Sequence, residues 1–106
     1  MPAPVSTRRR ERRFVLSIRV ELFRRGDSSV SEKTVTENVS SRGARVFTER
    51  SWNPGEPVQI TLADDGVKRR SRVAYCQRLQ SRRFAIGLGL FSPVEQWGGT
   101  AAALNG

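Results

Sequence analysis

At 106 residues the chain is long enough for one domain and too short for two, and its core must be modest. Nineteen lysines and arginines against ten acids give a net charge of +9, which points to an anionic partner: nucleic acid, a nucleotide or a membrane surface. With no histidine and one cysteine, Cys76, the composition excludes Cys/His metal sites and an internal disulfide, removes the commonest general base, and fits a reducing cytoplasm.

Residues 1–7 are rich in Pro, Ser and Thr and read as a flexible N-terminus. They lack the charged start and apolar block of a secretory signal, and no apolar run approaches the ~18 residues of a membrane span. Residues 8–13, Arg8-Arg9-Arg10-Glu11-Arg12-Arg13, form a charge block whose self-repulsion should keep it extended until an anion neutralises it.

A period of two then begins. Phe14, Leu16, Ile18, Val20 and Leu22 alternate with more polar neighbours and predict a strand with one face on a core. Arg25 to Ser29 reads as a turn, residues 30–38 as a second strand, and Asn38 to Gly43 as an interruption. Ala44, Val46 and Thr48 suggest a third strand. Trp52-Asn53-Pro54-Gly55 signals a turn before a fourth strand carrying Val58, Ile60 and Leu62. Asp64-Asp65-Gly66 turns the chain into a fifth strand over 67–79, so the paired acids belong to a hairpin and not to a catalytic site. Gln80-Ser81-Arg82 turns it into a sixth, with Phe84, Ile86, Leu88 and Leu90 inward. Six short strands argue for an all-β barrel or sandwich, and closure would remove exposed edges. The tail, 93–106, allows a short helix around Glu95-Gln96-Trp97 that Gly98-Gly99 would break. Trp52, Trp97 and Phe91 read as packing residues, and Arg69, Arg70, Arg72, Arg82 and Arg83 as solvated positions.

No nucleophile is paired with a base, and no Walker or Gly-x-Gly-x-x-Gly loop is present, so a binding module is expected and not an enzyme. Two clusters carry the remaining chemistry: the arginine block before strand one, and Asn38-Val39-Ser40-Ser41-Arg42-Gly43 between strands two and three. Arginine forks match phosphate oxygens and base edges. A short Asn/Ser/Gly loop can add a carbonyl acceptor, a hydroxyl and room for close approach.

Here the sequence resembles the PilZ family, whose pattern is Arg-x-x-x-Arg just before the first strand, then Asp/Asn-x-Ser-x-x-Gly after the second. Arg9 to Arg13 followed by Phe14 matches the first element, and Asn38-x-Ser40-x-x-Gly43 the second. Arg8 to Arg12 has the same spacing; Arg9 and Arg13 are preferred because the second arginine then directly precedes the apolar start of the strand. The likeness spans residues 8–92. It implies a six-stranded antiparallel β-barrel that binds the second messenger cyclic di-GMP and signals to a partner protein, the arginine segment responding to ligand. Arg9 and Arg13 would carry most of the binding, with Arg8 or Arg10 assisting, and Asn38, Ser40 and Gly43 completing the site. Asn38 stands where Asp is commoner, exchanging a full charge for one neutral acceptor. Gly43 is expected to supply a positive φ or a close ligand approach, and Tyr75 to stack on a guanine if it lies at the barrel rim. Two other functions remain open: a basic barrel binding RNA or single-stranded DNA, and a PilZ-type interaction module without a ligand. The first is weakened by aromatics that fall mostly on apparent core faces.

Overall fold

The structure is a computed structural model and describes residues 12–94 and Trp97. Arg8, Arg9 and Arg10, the expected flexible N-terminus and most of the expected C-terminal helix lie outside those residues. Six strands follow in chain order: β1 (Arg19–Arg24), β2 (Asp27–Ser40), β3 (Gly43–Thr48), β4 (Pro57–Leu62), β5 (Lys68–Arg78) and β6 (Phe84–Leu90). They close into a barrel in the order β1-β2-β3-β6-β5-β4, every neighbouring pair antiparallel.

Alternation puts one residue in two inside. Val20, Leu22, Val39, Val46, Val58, Ile60, Leu62, Val73, Ile86 and Leu88 fill the interior, all nearly inaccessible. Trp52 joins them, with the Arg24 guanidinium 4.9 Å from its ring centroid and itself paired with Glu56. Among the described residues, the four buried Ser and Thr residues are reconciled with this core by hydroxyls that bond to backbone or to a side chain. Ser71 Oγ donates to the Val58 carbonyl (2.9 Å), Thr48 Oγ1 to that of Arg50 (2.7 Å), and Thr36 Oγ1 accepts from Ile18 N (3.0 Å); the fourth, Ser40, belongs to the site below.

Three details differ from the sequence reading. The first strand begins at Arg19, not at Phe14, whose ring is 44% exposed. Only one backbone bridge, to Val39, holds Phe14, because the barrel interior is already closed by Ile18 and the half-buried Leu16. The first turn shrinks to Arg25-Gly26, where Gly26 takes φ +84°, so β2 starts at Asp27. Finally β2 is not interrupted at Asn38. It runs on to Ser40, its first part pairing with β1 and its last with β3, and a register shift between Thr36 and Asn38 absorbs the corner.

Candidate ligand site on the outer face of the barrel

Because β2 continues, the Asn-x-Ser-x-x-Gly segment is a hairpin whose loop is only Ser41-Arg42, with Ser40 paired to Gly43. Val39 points into the core and is fully buried, so Asn38 and Ser40 on either side of it face outward. The backbone of Phe14 bonds Val39 in both directions, at 2.7 and 2.9 Å. That bridge sets Arg13 beside the hairpin, and Arg13 Nη1 donates to Ser40 Oγ at 3.0 Å. Two motifs 27 residues apart in sequence thus touch.

Gly43 lies under this contact. A Cβ there would stand 3.7 Å from Arg13 Nη1, 3.6 Å from Ser40 Oγ and 3.0 Å from the Leu88 carbonyl. Its φ is not positive, so the first of the two expected reasons for a glycine here does not apply; a side chain would lack space against β6 and under the guanidinium. The Asn38 Oδ1 atom is buried and has no hydrogen-bond partner among the described residues. An unpaired buried acceptor is costly and is what a ligand donor would relieve. Arg12 lies elsewhere, 5.8 Å from the centroid of the exposed Phe14 ring.

The hairpin is strapped from behind. Three successive carbonyls of its turn, Ser40, Ser41 and Arg42, accept from Trp97 Nε1 (2.7 Å), Val94 N (2.7 Å) and Leu90 N (2.9 Å). Val94 and Trp97 are buried, so the segment after β6 packs while it holds the loop.

Ladder register extends the outward face beyond the motifs. Asn38, Arg45, Gly87 and Tyr75 stand in one row across β2, β3, β6 and β5; Ser40, Gly43, Gly89 and Arg72 form the next. Tyr75 is not at the rim. Its ring lies flat over Gly87, where a Cβ would come within 2.2 Å of it. Arg45 ties the row together: Nη1 donates to Tyr75 Oη (3.0 Å), Nη2 to Gln77 Oε1 (3.0 Å) and Nε to Glu37 Oε1 (2.5 Å). The tyrosine bond, followed by the glutamate bond, holds the Arg45 guanidinium above its ordinary pKa, so its charge is fixed.

Phe91 corrects the packing assignment: it is 48% exposed, with Arg70 and Arg72 at 5.7 and 5.6 Å from its centroid. Tyr75 and Phe14 are exposed as well, so the outer face has more aromatic surface than alternation suggested. Sequence reasoning missed Arg45, Arg72, Phe91 and Trp97 as site neighbours; only strand register and the packing of the tail bring them there.

The fold is a small closed antiparallel barrel bearing an arginine–serine contact on its outer wall. The PilZ domain model matches residues 7–96, and the chain belongs to the PilZ family. Among solved structures it is similar to the motility inhibitor MotI/DgrA of Bacillus subtilis, at 16% identity and TM-score 0.64. That match covers 91% of this chain but 47% of the other, so the chain spans about half the length of that protein. It is also similar to the PilZ domain of CeSA from a cellulose-synthesizing bacterium, at 25% identity and TM-score 0.54, covering 88% of this chain and 93% of that one. No curated protein sequence matches.

Proposed function

We propose that this chain is a receptor for cyclic di-GMP, acting as a binding module that passes the signal to a partner protein in the cytoplasm. The observation that carries the reading is the contact of Arg13 with Ser40 above Gly43, beside the unpaired Oδ1 of Asn38. A guanidinium already turned to the hairpin can take a phosphate or a guanine Hoogsteen edge, Ser40 Oγ can donate to the same group, and Asn38 can accept from guanine N–H. Arg9, Arg8 and Arg10 add cations from the same block. Arg13, and not Arg12, meets the hairpin, which favours the Arg9/Arg13 register.

The test is isothermal titration of the protein with cyclic di-GMP beside a linear GMP control. Saturable heat from the cyclic dinucleotide, weak heat from GMP, and at least about a tenfold loss in Arg13→Ala are expected, since hydrogen bonds to charged groups contribute roughly 1.5–3 kcal/mol. Absence of binding to the folded protein at high micromolar ligand would refute the reading. A second reading draws on the exposed rings of Tyr75 and Phe91 beside arginines, a surface on which single-stranded nucleic acid could stack. Steep salt dependence with no preference among nucleotides would mark that alternative.

A further inference from the structure

Among the described residues, nothing accounts for Gly89. It sits inside β6, between two strands, where a glycine gives up stability for lack of a side chain. Its φ is not positive. A Cβ on it would meet one atom within 4 Å, the Arg72 carbonyl oxygen at 3.9 Å, an ordinary contact. The contrast with the neighbouring glycines is sharp: a Cβ at Gly43, in the same row, presses on the Leu88 carbonyl at 3.0 Å, and one at Gly87, in the row beside it, collides with the Tyr75 ring. Leu88 and Leu90 point inward and are buried, so Gly89 faces out, over open space.

The surroundings say what that space fits. On one side, in the same row, stand Gly43 and Ser40 under the Arg13 guanidinium. On the other stands Arg72, whose guanidinium lies over Phe91; Phe91 N donates to the Arg70 carbonyl at 3.1 Å, which fixes the ring beside β5. Four residues in register across four strands span roughly 14 Å at the usual interstrand spacing. The result is a floor of two glycines, Gly43 and Gly89, with the Arg13 guanidinium at one end and an arginine–aromatic contact at the other.

We infer that Gly89 is the floor, and Arg72 with Phe91 the far wall, of the seat for a guanine of the bound cyclic dinucleotide. This rests on the cyclic di-GMP reading and extends it to residues that neither motif contains. A planar base can approach β6 closely only where no Cβ stands, and it gains by stacking on a guanidinium or a phenyl ring.

The experiment is cyclic di-GMP titration and thermal melting of the full chain as wild type, Gly89→Ala and Phe91→Ala. Gly89→Ala should melt at or above the wild-type temperature and bind at least about tenfold more weakly; Phe91→Ala should weaken binding about five- to tenfold, the range of a lost base stack. Wild-type affinity in both variants, with the wild type binding normally, overturns this assignment and leaves the receptor reading standing. A Gly89→Ala protein that melts well below wild type also overturns it, because the glycine would then be structural. A wild type that does not bind cyclic di-GMP removes both.

Discussion

Asn38 is the residue at which this chain departs from the commoner pattern of its family, and its surroundings fix what the departure does. Its Oδ1 is buried and has no partner among the described residues, while the in-register Arg45 is committed to Glu37, Tyr75 and Gln77. A carboxylate here would give guanine N1–H and N2–H₂ a charged acceptor, and charged bonds are shorter and stronger than neutral ones. The same charge would be poorly solvated without ligand. Asn38→Asp should therefore tighten cyclic di-GMP binding by about tenfold and destabilise the free protein by about 1 kcal/mol or more. Titration and melting of the one variant check both signs. Tighter binding without loss of stability would mean that Arg45 turns to the new carboxylate.

At the scale of elements, the strap across the hairpin joins the motif to the end of the described chain. Trp97 Nε1 is the donor that caps the Ser40 carbonyl, 57 residues away. Trp97→Phe keeps the ring and removes a buried hydrogen bond to the Ser40 carbonyl, at a cost of about 0.5–1.5 kcal/mol. Because Ser40 also holds Arg13, the variant should lose ligand affinity along with stability, and chemical denaturation beside titration would show whether the two fall together. How much of this was readable in the sequence follows from the range of each interaction. Alternation and turn signals are local, so six strands were legible from them together, and the inward residues Val58, Ile60, Leu62, Ile86, Leu88 and Leu90 from period two. Asn38, Ser40 and Gly43 were legible because a hairpin keeps its chemistry within six residues. Phe14 was misplaced because alternation does not reveal where a core ends. The Ser81-Arg82 turn was legible as a turn, but its two positive φ values, 65° and 62°, carry no glycine signature. Trp97 looked like core because an indole buries its ring whether or not its N–H has work elsewhere. Tyr75 and Phe91 became neighbours of the site only once β6 was known to lie between β3 and β5, an order that no local pattern encodes.

For the molecule as a whole, charge sets a trade between folding and binding. Residues 66–94 contain seven lysines and arginines and no acid, and they build β5, β6 and the turn joining them. Within that stretch Arg69 is paired with Asp65, Arg72 Nη1 donates to the Gly55 carbonyl, and Arg70 and Arg72 rest on Phe91, so several cations are held near one another on one wall. Crowded like charges oppose the folded state and attract a dianionic ligand to the same surface. Salt acts on both effects with opposite consequence, because the screening length falls from about 10 Å at 0.1 M to about 3 Å at 1 M. Raising salt across that range should raise the melting temperature of the free protein while weakening cyclic di-GMP binding by about tenfold, the phosphate contacts being the screened ones. The neutral components of the site, stacking on Phe91 and the Asn38 acceptor, are not screened, so Phe91→Ala should show the same salt slope as wild type from a weaker starting point. If Arg13 meets a phosphate, as proposed, Arg13→Ala should show a shallower slope. Titrations of the three proteins at several salt concentrations would separate phosphate attraction from base recognition, and a wild-type affinity indifferent to salt would assign the arginines to guanine edges instead.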